Sequence, residues 1–154
     1  MNSTLHDRLL KLDAEGHWEA PPGFDYFREL GEVCHHQAYV QRALNTRLSI
    51  DRSVQDASHF TELALYDPRY FDQETGCGEH VAQISIRFSA FDRMFTIFGT
   101  ELDRWQGQIP GIIDYLERHG YRHIDREVLN GKYDGIATVA TEDWTWFIRF
   151  FDYL

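Results

Sequence analysis

The chain has 154 residues, 43% of them hydrophobic and 26% charged, and its formal net charge is -10 at pH 7. This composition supplies the core of one packed domain and excludes an intrinsically disordered chain. Because excess acid repels phosphate groups, the charge disfavours binding to nucleic acid or to an anionic membrane, whereas it would attract a basic protein. The alternative is that the charge serves solubility alone.

Two helices are predicted in the N-terminal part of the chain. A stripe of leucines at helical spacing predicts a first helix, which Gly16 ends. After the stiff connection Pro21-Pro22-Gly23, helical spacing of apolar residues predicts a second helix over 24–44. Gly31 could divide this second helix in two. We therefore expect the chain to begin with a helical layer.

Strands are predicted where the apolar spacing changes to every second residue. Residues 48–54 alternate in this way, and 59–66 form a second candidate, although its central Leu-Ala-Leu also fits a helix. The clearest signal is a hairpin within 80–99, with strands predicted over 80–88 and 93–99 and a short turn between them.

The C-terminal part predicts a helix followed by shorter elements. An amphipathic helix is expected over 108–119, with Gly120 at its C-terminal end. Residues 121–124 are a short strand candidate, and 125–129 fit one helical turn. In 144–151 apolar side chains lie on both faces at strand spacing, which predicts a central aromatic strand.

Together these elements predict a single α+β domain over residues 1–154, with N-terminal helices and a mostly antiparallel sheet of about four to six strands. The sequence contains no internal repeat or low-complexity tract. The polar N-terminal segment and the absence of a long apolar run lead us to expect a cytoplasmic protein with free thiols.

The cysteines and histidines are one candidate site. Cys34, His35 and His36 adjoin in the sequence, and together with Cys77 and His80 they form a ligand set suited to zinc. However, zinc motifs space their ligands in a tight knuckle, and on a helix Cys34 would point to the core while the two histidines point elsewhere. We therefore expect a buried thiol and two surface histidines, with no metal or other cofactor.

Catalytic signals are weak throughout the sequence. Cys77 and His80 could act as nucleophile and base, but the acids around them would suppress the reactive thiolate. The sequence contains no P-loop, no Gly-x-Gly-x-x-Gly and no Gly-x-Ser-x-Gly motif. We expect a protein that is not an enzyme.

The loop over 67–80 and a second acidic pair favour a binding surface. Carboxylates give specificity and a fast association with a basic protein, and aromatic side chains provide most of the affinity. In the alternative interpretation the aromatic side chains pack against the sheet and the acids are simply solvated. The residues that we expect to contact a basic protein partner are Asp67, Tyr70, Phe71, Asp72, Glu74, Glu79, Glu142 and Asp143.

The size, the charge, the segment SIRFSAFDRMFTIFG (85–99) and the aromatic end WTWFIRFFDYL (144–154) resemble the small, acidic α+β immunity proteins encoded beside bacterial polymorphic toxins. The resemblance extends over most of the chain as a pattern, without a motif from which site residues carry over. It implies a protein that neutralises a cognate toxin by stoichiometric binding, with the toxin's active site covered.

Two other functions stay open on the sequence. A pocket between the sheet and the helix at 108–119 would indicate a small-molecule-binding domain or an enzyme. Convergence of the cysteines and histidines would indicate a metal-binding protein. The oligomeric state also stays open.

Overall fold

The computed structural model describes residues 3–17, 19–51, 60–72, 74–75, 77–137 and 140–152. Its helices are α1 (Ser3–Ala14), α2 (Tyr26–Leu44), α3 (Ile109–Arg118), α4 (Arg126–Leu129) and α5 (Trp146–Phe151), with a 3-10 turn at Leu102–Trp105. Its strands are β1 (Ser49–Asp51), β2 (Phe60–Tyr66), β3 (Phe71–Asp72), β4 (Cys77–Gly78), β5 (Ala82–Ser89), β6 (Met94–Phe98) and β7 (Arg122–His123). The fold is α+β, as predicted.

Five strands form the central sheet in the order β1-β2-β5-β6-β7. Neighbouring strands are antiparallel, except that the short β7 pairs in parallel with β6. The predicted hairpin within 80–99 is confirmed as β5 and β6, with slightly narrower bounds. The predicted strand over 48–54 is present at β1, while 52–59 lie outside the described residues; the ambiguous segment 59–66 is the strand β2.

The turn between β5 and β6 places two non-glycine residues in the left-handed region. Asp92 and Arg93 have φ angles of 52° and 51°, and the amide of Met94 donates to the carbonyl of Phe91 at 3.0 Å. Two consecutive left-handed residues match the right-handed twist of the flanking strands, but glycine and asparagine normally occupy these positions. Contacts of both side chains hold this turn, because Asp92 accepts two hydrogen bonds from the guanidinium of Arg8, at 2.5 and 2.6 Å, and Arg93 lies 2.8 Å from a carboxylate oxygen of Glu32.

Helix α2 is continuous through Gly31, so the predicted division does not occur. The helix begins at Asp25, whose carboxylate accepts a hydrogen bond from the amide of Arg28. It ends at Asn45, which takes a left-handed conformation and satisfies the last carbonyls through its amide. Caps at both ends explain why one unfavourable glycine does not interrupt the helix.

The first face of the sheet is apolar and is covered by α2 and α3. Because side chains alternate along β5, Ile84, Ile86 and Phe88 point to this face. Val33 and Val40 of α2 and the buried residues of α3 pack against them. The indole of Trp105 is buried here and donates to the carbonyl of Leu44 at 3.1 Å. This face holds the larger core of the described structure.

The second face combines apolar packing with buried charge. Leu9 of α1 and Phe150 of α5 lie in its core beside Met94. On the same face, Glu62 and Arg87 pair across β2 and β5, with the guanidinium Nη2 3.3 Å from both carboxylate oxygens. The hydroxyl of Ser85 also donates to the Glu62 carboxylate.

The C-terminal segment is a helix, and the predicted strand over 144–151 is therefore wrong. Thr145 caps α5 by accepting a hydrogen bond from the amide of Ile148 at 3.3 Å. The helix is buried on most of its circumference, and such a continuous apolar run matches the strand period and the helix period equally well. The cap at Thr145 was the signal that could have decided between them.

The remaining C-terminal elements agree with the predictions. Helix α3 is followed by Gly120 in a left-handed conformation, β7 occupies the centre of 121–124, and α4 is the predicted turn of helix. Across the described ranges, every helix is too short or too polar to traverse a lipid bilayer.

A candidate acidic binding surface

The connection between β2 and β5 folds into a small hairpin of its own. Strands β3 and β4 pair through Phe71↔Gly78 and Asp72↔Cys77. The amide of Glu79 donates to the carbonyl of Tyr70 at 2.8 Å, which extends the pairing toward the base. We call residues 67–81 the acidic hairpin. The acidic loop predicted from the sequence is thus an ordered element along its described residues.

Asp67 anchors the base of the acidic hairpin. Its side chain is buried and accepts hydrogen bonds from the backbone amide of Arg69 at 2.9 Å and from the guanidinium of the same residue. These hydrogen bonds lower the pKa of Asp67, so the carboxylate stays charged at neutral pH. Arg69 also reaches Glu101, 3.6 Å from its Nη2 atom. Asp67, predicted to face a partner, therefore supports the hairpin from inside.

The outer part of the acidic hairpin presents charge to solvent. Asp72, Glu74 and Glu79 are all exposed, and none of the three forms an ion pair with another described residue. The carboxylate of Asp72 accepts hydrogen bonds from the amides of Glu74 and Thr75, and its pKa is lowered mainly through its contacts with Thr75. These three residues form a negatively charged surface patch, the negative patch, on an ordered hairpin.

Aromatic residues accompany the negative patch. Tyr70 is 51% exposed, with the guanidinium of Arg69 stacked 5.7 Å from its ring centre. Phe71 lies in β3 opposite Gly78, and its side chain is outside the described part of the structure. An exposed tyrosine held beside carboxylates is a suitable contact for a protein partner.

The second predicted acidic pair lies elsewhere on the molecule. Glu142 and Asp143 are exposed in the turn that precedes α5, where the amide of Trp144 donates to the carbonyl of Thr141 at 3.1 Å. Among the described residues, no hydrogen bond or ion pair connects this turn with the acidic hairpin. The structure therefore places the residues of the first predicted cluster on one hairpin. Among the described residues, the two predicted clusters make no contact with each other.

The cysteine and histidine set is divided between two elements. Cys77 and His80 are exposed on the acidic hairpin, whereas Cys34 is only partly buried on α2. His36, predicted at the surface, is buried at 5% exposure, because it packs against α3 with its Nδ1 atom 3.0 Å from the hydroxyl of Tyr115. Within the described ranges, no group of three or more potential ligands is placed to hold a metal ion.

The space between α3 and the sheet is filled with side chains. Ile112 and Leu116 are fully buried against the strands, and Trp105 closes one side. The small-molecule pocket considered at this position therefore has no supporting observation among the described residues.

Sequence reasoning missed the charged groups that the fold buries and a cavity between the loop 21–24, the start of α2 and the β5–β6 turn. Asp13 of α1 and Arg149 of α5 form a completely buried ion pair, with the guanidinium Nε 2.6 Å from the carboxylate. A single arginine within an aromatic run was the available signal, since a buried arginine requires a carboxylate partner. The cavity, whose walls come from separate segments, had no signal in the sequence.

Comparison with known proteins adds no relative. No family model, no curated protein and no solved structure matches the chain. The contacts and charges of the acidic hairpin are therefore the basis for a functional assignment.

Proposed function

We propose that this protein is a non-catalytic binding protein that recognises a basic protein partner through its acidic hairpin. The observation that carries the proposal is the set of three exposed carboxylates, Asp72, Glu74 and Glu79, on a hairpin whose base is fixed by the buried Asp67. Carboxylates without ion-pair partners among the described residues are available to the arginines and lysines of another protein.

The anchored base makes the hairpin suitable for binding. A loop that is already ordered loses less conformational entropy when it binds, so more of its contact energy appears as affinity. Arg69 contributes to this order because it connects Asp67 with Glu101. Tyr70, exposed beside the carboxylates, would add the desolvated contact that charge alone does not provide.

We further propose that the partner is a cognate toxin and that the protein acts as its immunity protein in the cytoplasm. The resemblance in size, charge and pattern supports this class, and the negative patch would complement the basic cleft of an enzyme that acts on nucleic acid. Both cysteines are free, which agrees with a reducing compartment.

The test is co-purification with the protein encoded by the adjacent gene. We expect a one-to-one complex with the wild-type chain, and loss of that complex in the triple variant Asp72→Asn, Glu74→Gln, Glu79→Gln. The matched control neutralises three exposed acids that form no ion pair with a described residue, Glu15→Gln, Glu19→Gln and Glu127→Gln, and it should bind like wild type.

The outcomes separate the parts of the proposal. Equal loss in both triple variants would show that net charge, and not the acidic hairpin, drives the association. Failure of the wild-type chain both to bind that protein and to relieve its toxicity would overturn the immunity assignment. Salt should weaken the complex chiefly by slowing association, because screening acts on long-range attraction.

A further inference from the structure

Three histidines lie together where α2 packs against the end of α3. The ring centre of His36 is 4.9 Å from that of His119 and 5.4 Å from that of His35. His36 is 5% exposed, whereas His35 and His119 are exposed. We call these three residues the histidine cluster. It places one buried imidazole beside two that are open to solvent.

Tyr115 connects two rings of the histidine cluster to α3. Its hydroxyl oxygen lies 3.0 Å from Nδ1 of His36, and its carbonyl oxygen accepts a hydrogen bond from Nδ1 of His119 at 2.8 Å. Tyr115 also stacks on Tyr39 of α2, with ring centres 3.6 Å apart. The last turn of α3 is therefore attached to α2 largely through rings that surround His36.

The inner side of His36 packs against the aromatic part of the core. Its ring centre is 5.7 Å from that of Tyr121, and the ring of Tyr121 lies 5.2 Å from that of Phe88. A neutral imidazole suits these surroundings, but an imidazolium would lose its hydration there. Protonation of His36 is therefore unfavourable while the ring stays in this position.

The charged groups around His36 oppose its protonation on balance. Burial lowers the pKa of His36 most, and the charges of His119, His35 and Arg93 lower it further. Glu32 acts in the opposite direction, but its carboxylate already lies 2.8 Å from the guanidinium of Arg93. Tyrosine hydroxyls carry no charge in this pH range. Acid therefore adds charge to the histidine cluster without a free counter-charge beside it.

We propose that the histidine cluster is an acid-sensitive latch, which holds the end of α3 against α2 at neutral pH and releases it in acid. When His36 and His119 are both protonated, two positive rings would lie 4.9 Å apart at the edge of the core. Movement of His36 toward solvent relieves this repulsion and removes its contact with Tyr115. The central sheet keeps its own hydrogen bonds, so the opening is local.

The first test follows the histidine ring signals by NMR from about pH 8 to about pH 5, the range in which imidazoles titrate. His119→Gln should raise the pKa of His36, because it removes a neighbouring positive charge. His80→Gln, on the acidic hairpin, is the control and should leave the titration of His36 unchanged. An unchanged titration of His36 in His119→Gln would overturn the coupling that the latch requires.

The second test measures the opening by hydrogen exchange, expressed as protection factors so that the intrinsic pH dependence of exchange cancels. Between about pH 7 and about pH 5, protection in 115–119 should fall at least about tenfold relative to β5, because one proton taken up on opening changes the equilibrium up to about tenfold per pH unit. A parallel fall in β5 would mean global unfolding and would contradict a local latch.

Two variants assign the opening to the histidine cluster. In His36→Gln the side chain cannot be protonated, so the relative fall in 115–119 should disappear, and in His119→Gln it should become smaller. The amide spectrum at neutral pH verifies that each variant is folded, and His80→Gln should keep the wild-type fall. A wild-type fall in both His36→Gln and His119→Gln would overturn the proposal.

Discussion

Two regions of this protein hold carboxylates with opposite properties. Asp13 is completely buried and engaged by Arg149, by the hydroxyl of Tyr133 at 2.6 Å and by the amide of Ile136 at 2.8 Å. The carboxylates at the tip of the acidic hairpin, in contrast, face solvent without an ion pair among the described residues. The same chemical group thus stabilises the fold in one region and is available to a partner in the other.

The Asp13 region connects distant parts of the chain. Arg149 of α5 also donates to the carbonyl of His17 at 2.8 Å, so one arginine joins α5 to the segment that follows α1. Because Asp13 and Arg149 make their contacts within the protein, substitution of either residue changes the stability of the fold. On the acidic hairpin, a substitution should leave stability almost unchanged and alter association.

The largest effect is expected from Asp13→Ala. Loss of the carboxylate leaves Arg149 buried without its charge partner, which costs about 3–5 kcal/mol of the free energy of unfolding. Urea denaturation measures this, with Asp7→Ala on the exposed side of α1 as the control at about 0.5 kcal/mol or less. A loss below about 1 kcal/mol for Asp13→Ala would remove the contrast between the two regions.

A smaller loss is expected from Glu62→Gln on the second face of the sheet. The amide can still accept from Ser85, but Arg87 loses its buried charged partner and keeps only the more exposed Asp152, so we expect a cost of about 2 kcal/mol. The control is Glu74→Gln, the same change on the acidic hairpin, which should have little effect in the same denaturation experiment. Equal losses of unfolding free energy in the two variants would argue against the contrast between buried and exposed carboxylates.

The free energy of unfolding should depend on pH through His36, which is buried, and His123, which is partly buried. Burial, with added repulsion from His119 and His35, lowers the pKa of His36, and burial likewise lowers the pKa of His123. The unfolded chain therefore takes up protons first, so stability is complete above a pH of about 6.5 and falls as the pH decreases below it. Urea denaturation across this range should show a shallower fall for His36→Gln than for wild type.

The exposed His80 supplies the control for this pH dependence. His80→Gln should keep the wild-type decline, because the substitution lies on the acidic hairpin and leaves the surroundings of His36 unchanged. An identical decline in wild type and His36→Gln would show that burial of His36 does not contribute.

The smallest effect on stability is expected from neutralising the hairpin tip. The triple variant Asp72→Asn, Glu74→Gln, Glu79→Gln should unfold within about 0.5 kcal/mol of wild type, because exposed charges contribute little to folding. Asparagine at position 72 can still accept from the amides of the turn. A larger loss in thermal or urea denaturation would mean that the tip is part of the folding core.

The parts of the fold that depend on local pattern could be predicted from the sequence. Alternation in 80–99 identified the β5–β6 hairpin, and the amphipathic spacing of 108–119 identified α3. The aromatic run of α5 was misassigned because it is apolar in every direction. Burial of Asp67 could not be predicted either, since the carboxylates at 67 and 72 look alike until the chain has folded. The cavity between the start of α2 and the β5–β6 turn required segments separated by about seventy residues to meet.

The most direct test of the central claim compares two variants, the hairpin triple variant and the matched control at Glu15, Glu19 and Glu127. For each variant, the affinity for the captured partner and the free energy of unfolding are measured. We expect the hairpin variant to lose at least about tenfold in affinity, chiefly through slower association, at unchanged stability. The control should keep both values. Wild-type affinity in the hairpin variant would contradict the assignment of the acidic hairpin as the recognition surface.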